Sequence, residues 1–128
     1  MSVELLTNAR DQVLPMLRIV AEEYRHRVPE GYPVVVDSPD RGVVGIELDA
    51  SYALYFVTDG EQLLADLYYR SPRIDARSSA SRAKFSGAPF QDRRRLGASV
   101  SDQTARNLIA ELKSRWNFQP MLIHISDT

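Results

Sequence analysis

Cysteine is absent, which removes disulfides, thiolate nucleophiles and cysteine-based metal sites. Histidine is scarce. His26 and His124 are the only two, and no His-x-x-x-His or carboxylate–histidine spacing accompanies them, so no metal site is expected. Neither Gly-x-Gly-x-x-Gly nor a P-loop is present, and nucleotide binding in those modes is excluded. Helix-turn-helix, zinc-finger and RNA-recognition signatures are missing too. The longest apolar runs are a few residues, far short of the ~20 needed to span a bilayer. In the opening MSVELLTNAR, Glu4, Thr7, Asn8 and Arg10 break up any secretory leader. A net charge of −1 gives no overall pull toward nucleic acid or an acidic membrane surface. The expectation is a cytoplasmic protein with no cofactor, no metal and no membrane partner.

What is there suits one globular unit. The 128 residues are 44% hydrophobic and 26% charged, the proportions of a single domain with one core spanning residues 1–128. From Glu4 to Arg27 the apolar residues Leu5, Leu6, Ala9, Val13, Met16, Leu17, Val20, Ala21 and Tyr24 recur at three and four, the period of a helix. Arg18–Glu22 and Glu23–Arg27 are spaced as i,i+4 pairs on its solvated face. Pro15 predicts a kink or break, because it lacks an N–H and clashes with the Asp11 carbonyl. His26, near the end of this helix, reads as a structural cation at the negative pole of the dipole.

Val34 to Arg70 has strand character. Asp59-Gly60 is a hairpin signal, and a two-residue loop there pairs Phe56 with Leu63, Leu54 with Ala65 and Tyr52 with Leu67. A three-residue loop at Asp49-Ala50-Ser51 pairs Leu48 with Tyr52, Ile46 with Leu54 and Val44 with Phe56. Both placements keep the same face apolar, whereas a slip of one residue would mix the faces. Ser51 stands where such a loop prefers glycine. A further strand at Pro33–Val36 precedes the turn Ser38-Pro39-Asp40-Arg41-Gly42. Ser101-Asp102 opens a second helix with a stripe of Ala105, Leu108, Ile109, Leu112 and Trp116. Beyond Pro120, the alternation of Met121, Ile123 and Ile125 predicts a short closing strand that carries His124 on its other face. The fold class that follows is α+β: a two-layer sandwich, its antiparallel four- to five-stranded meander covered on one face by two amphipathic helices.

Two features bear on function. Residues 71–100 read as a long basic loop within the domain. It holds Arg73, Arg77, Arg82, Lys84, Arg93, Arg94 and Arg95 against Asp75 and Asp92, a charge of +5 in a chain of −1. Guanidinium forks grip phosphate bidentately, so these seven residues are candidates for binding a polyanion or nucleic acid. A solvated surface loop or a partner-protein arm accounts for the same composition. Phe85, Phe90, Leu96 and Val100 are candidate anchors to the core. The second feature is the outer face of the meander, where Tyr55, Val57, Leu64 and Tyr68 form an apolar group alongside Gly45, Glu47 and Asp66. A homodimer through this face, a small-ligand cleft, or Tyr55 lying over the bare backbone of Gly45 would each explain it.

The expected function is therefore a non-enzymatic binding or assembly module, homodimeric through Tyr55, Val57, Leu64 and Tyr68. Polyanion or nucleic-acid binding by the basic segment is the alternative. A third reading is a small enzyme for an anionic substrate with His124 as base; Ser81-Arg82-Ala83-Lys84 matches Ser-x-x-Lys without that class's other motifs, and no residue is assigned a catalytic role.

Overall fold

A computed structural model describes the backbone of residues 2–70 and 90–126 and the side chains of 3–70 and 91–117. The predicted apolar stripe forms α1 (Ser2–Tyr24), and Leu6, Ala9, Val13, Leu17, Val20 and Tyr24 are buried along it. The helix runs through Pro15 without the break expected there. Pro15 lies on the exposed side, where water can take the carbonyl that the missing N–H leaves free. The two predicted i,i+4 pairs also give way to other partners. Glu22 pairs with Arg25, and Glu23 reaches Lys113 at 3.0 Å.

Five antiparallel strands follow in simple meander order: β1 (Val34–Ser38), β2 (Val43–Glu47), β3 (Ala53–Asp59), β4 (Gln62–Tyr69) and β5 (Phe90–Gly97). A 3₁₀ turn at Pro39–Arg41, closed by Gly42 in the left-handed conformation, joins β1 to β2. The last element is α2 (Asp102–Ser126). Its first turn is capped by the Ser101 hydroxyl, which accepts the Thr104 N–H at 3.1 Å.

The β2–β3 register is the predicted one, with Val44 opposite Phe56 and Ile46 opposite Leu54. Asp49 explains why Ser51 suffices in that turn. Its Oδ1 accepts the backbone N–H groups of Ser51 (2.8 Å) and Tyr52 (3.0 Å), an Asx turn that needs no positive φ. At the next hairpin the loop residues are Gly60 and Glu61, not Asp59 and Gly60. Only Gly60 has positive φ there, so a turn with one left-handed residue replaces one that would strain Asp59. Leu54 consequently faces Leu67, and Phe56 faces Ala65. The pairing moves by two positions, and because side chains alternate with period two, every residue keeps its predicted face.

Two expectations fail in the second half of the chain. Residues 90–97 are strand β5 rather than loop, and the expected strand over Met121–Ile125 is the end of α2, with Pro120 inside it. β5 has few apolar residues, but it needs few as an edge strand whose charges find partners on the neighbouring elements. The helix that carries Ala105–Trp116 runs on to Ser126 and leaves no strand for His124 to occupy.

The inner face of the sheet holds Val44, Ile46, Leu48, Tyr52, Leu54, Phe56, Leu63, Ala65 and Leu67, all buried against both helices. Val100 and Leu96 join this core, as two of the predicted anchors; the side chains of Phe85 and Phe90 lie outside the described residues. Ion pairs tie the helices to both edges of the sheet. Arg10 of α1 holds Asp37 of β1 at 2.6 Å, and Arg94 of β5 holds Glu111 of α2 at 2.6 Å. No described helix is long and apolar enough to cross a membrane.

Candidate functional site

With both helices on the inner face, the opposite face of the sheet carries the remaining chemistry. Strand alternation brings three rows of residues onto it. Glu47, Ala53, Tyr68 and Gln91 form one row, Gly45, Tyr55, Asp66 and Arg93 the next, and Val57, Leu64 and Arg95 the third. The four predicted interface residues Tyr55, Val57, Leu64 and Tyr68 thus share one face, as the pattern required.

Their exposure differs. Leu64 is 3% exposed and already covered within the chain, while Tyr55, Val57 and Tyr68 are half-buried. Tyr55 and Tyr68 are diagonal cross-strand neighbours, with ring centroids 5.6 Å apart and planes at 75°. Tyr55 also lies against Gly45. A Cβ on Gly45 would stand 3.0 Å from Tyr55 Cδ1 and only 2.2 Å from the Leu54 carbonyl oxygen. The bare backbone of Gly45 is what lets the tyrosine settle, so the local explanation for Tyr55 holds.

The Tyr55 hydroxyl donates to Glu47 Oε2 at 2.5 Å. Burial pushes the phenol well above its ordinary value, and the hydrogen bond to Glu47 pushes it the same way, so it stays a neutral donor. Burial raises Tyr68 as well. Below these rings opens a cleft of about 450 Å³, lined by Tyr32, Glu47, Asp49, Ala50, Ser51, Ala53, Tyr55 and Tyr68. Asp49 Oδ2 accepts the indole N–H of Trp116 at 3.0 Å, which ties the cleft's turn to α2. A ligand cleft on this face was expected from the sequence, but Tyr32 as part of it was not. Tyr32 precedes the sheet and carries no periodic signal.

The described arginines of the basic segment are divided between the faces. Arg93 makes a bidentate pair with Asp66, at 2.7 and 2.9 Å, and Asp66 is 4% exposed. Arg94 points inward to Asp92 and Glu111, at 2.7 and 2.6 Å. The two carboxylates raise the Arg94 pKa, and Arg94 in turn holds Glu111 below the usual carboxylate range. Arg95 is exposed on the outer face and donates to Gln62 at 3.2 Å. Arg73, Arg77, Arg82 and Lys84 lie outside the described residues, as does the Ser81–Lys84 motif. His26 is exposed just past α1, and His124 falls within α2. Among the described residues no group of three or more His, Asp or Glu converges to hold a metal ion.

Comparison with known proteins adds nothing to this geometry: the chain matches no protein-family model, no curated protein and no solved structure.

Proposed function

We propose that this protein is a cytoplasmic, non-enzymatic binding module that self-associates through the outer face of its sheet. The observation that carries the reading is the asymmetry of the two faces. Both described helices pack on one face, yet the other carries half-buried Tyr55, Val57 and Tyr68 around buried Leu64. The charges there are largely partnered, Asp66 with Arg93 and Glu47 with the Tyr55 hydroxyl, which lowers the desolvation cost of covering the face. A second copy is the commonest partner for such a surface, since a two-fold axis makes one patch its own complement. Light scattering tests this. A dimer at tens of micromolar is expected, with Val57→Asp converting it to a monomer of unchanged circular dichroism. A wild-type protein that stays monomeric at that concentration refutes the reading.

The alternative is polyanion binding, favoured by the exposure of Arg93 and Arg95 together on the outer side of edge strand β5. Retardation of DNA or RNA at low salt, with a log–log salt slope of roughly −4 if about five phosphates are neutralised, is its signature. No retardation removes it.

A further inference from the structure

The cleft at one end of the outer face shares Tyr55 and Tyr68 with the proposed self-association surface, but Tyr32, Glu47 and the Asp49–Ser51 turn give it a chemistry of its own. It is contained within a single chain, and at about 450 Å³ it falls within the ~300–1,000 Å³ range of small-ligand sites. Three of its eight lining residues are tyrosines, from the segment before β1 (Tyr32), from β3 (Tyr55) and from β4 (Tyr68). Tyr55 and Tyr68 meet edge to face, so their rings stand at a steep angle to one another as two walls of a box. Tyr32, Tyr55 and Tyr68 line this one space together.

Charge at the cleft is acidic. Glu47 and Asp49 both line it, while among the described residues Arg70 donates to the Ser51 hydroxyl at 2.9 Å and Arg93, beside Tyr68, is paired with Asp66. Asp49 is committed to two backbone amides and the Trp116 indole. Glu47 uses one oxygen on Tyr55, and among the described residues its other oxygen has no hydrogen-bond donor. Aromatic faces attract a cation through their quadrupoles, and a carboxylate at the wall adds Coulombic attraction inside a partly desolvated space. We propose that this cleft is a binding site for a small organic cation of the alkylammonium class, held by the rings of Tyr32, Tyr55 and Tyr68 and by the Glu47 carboxylate.

The test is a titration of the full chain at constant ionic strength, read by the fluorescence of Trp116, which hydrogen-bonds to the cleft's Asp49. The probes are tetramethylammonium, butylammonium and the neutral isostere 3,3-dimethylbutan-1-ol. The expected result is saturable binding of the cations, with Kd on the order of 1–10 mM, and at least fivefold weaker binding of the alcohol. Glu47→Gln keeps an acceptor for the Tyr55 hydroxyl and should weaken the cations about fivefold or more. Tyr68→Leu keeps apolar volume but loses a π face, and should weaken them as well. Nα-acetyl-lysine amide separates two sources of the same group. Tighter binding than butylammonium names a lysine side chain, weaker binding a free amine, and either sustains the site. Absence of saturable cation binding, equal binding of the alcohol, or unchanged affinity in Glu47→Gln overturns it. Val57 does not line the cleft, so the monomeric Val57→Asp should bind the cations at least as tightly as the wild type, and loss of the dimer and loss of the cleft are read separately.

Discussion

Of the described glycines, Gly45 is the one at which an added Cβ, as in Gly45→Ala, meets the neighbouring strand. The added Cβ would sit 2.2 Å from the Leu54 carbonyl oxygen and 2.9 Å from Tyr55 Cα, both backbone atoms of the paired strand. Ordinary contact distances would require β2 and β3 to separate by roughly an ångström at the centre of their ladder. Overpacking of that kind costs about 1–3 kcal/mol, and each ladder hydrogen bond stretched beyond use costs about 1 kcal/mol more. The greater stiffness of alanine in the unfolded chain returns about 0.5–1 kcal/mol. The net loss should be about 2–4 kcal/mol, read as a lower midpoint in urea at unchanged slope. Adding Tyr55→Ala should not rescue it, because the two nearest obstacles are main chain rather than ring. A Gly45→Ala protein as stable as the wild type, or a full rescue by Tyr55→Ala, would show that β2 and β3 are not paired as described.

Two further outcomes follow from single carboxylates. Asp49→Ala removes the acceptor of two turn amides and of the Trp116 indole, so a loss of about 2–4 kcal/mol is expected, with a shift in tryptophan emission. Unchanged stability would mean the Asx turn contributes nothing. Glu111 is depressed by Arg94, so its contribution is fully present above the unfolded carboxylate value of 4.5 and is lost as pH falls through the lower folded value. Arg94→Gln should therefore flatten the acid limb of a stability-against-pH curve below about pH 4.5. An unchanged acid limb would refute that coupling.

How far the fold could be read from residues depended on where burial enforces a pattern. The Asp49–Ser51 reversal was legible because Val44, Ile46 and Leu48 must share a face with Tyr52, Leu54 and Phe56, and a three-residue loop is the shortest that satisfies that. At Gly60 two registers of equal parity keep the same faces, so burial could not choose between them, and backbone conformation at Gly60 did. β5 is not legible in the sequence because Arg93 and Arg94 read as solvated charge, whereas their partners Asp66 and Glu111 are far away in sequence. Met121–Ile125 belongs to α2 although five alternating residues after a proline resemble a strand, since nothing local distinguishes them from a helix end. Of the candidate site, Tyr55 and Tyr68 were visible from alternation and Gly45 from its missing side chain. The cleft was not, since it depends on Tyr32 arriving from outside the sheet.

The central claim, that the outer face of the sheet is where two copies meet, can be measured as a distance. The chain lacks cysteine, so Gln62→Cys on the rim of that face, or Ser114→Cys on the exposed side of α2, introduces a single attachment point for a spin label. Sheets packed face to face lie ~10 Å apart, so labels at position 62 should report an intermolecular distance below about 30 Å, and labels at position 114 a much longer one. A short distance at 114 with none at 62, or no intermolecular distance at either, would contradict the account.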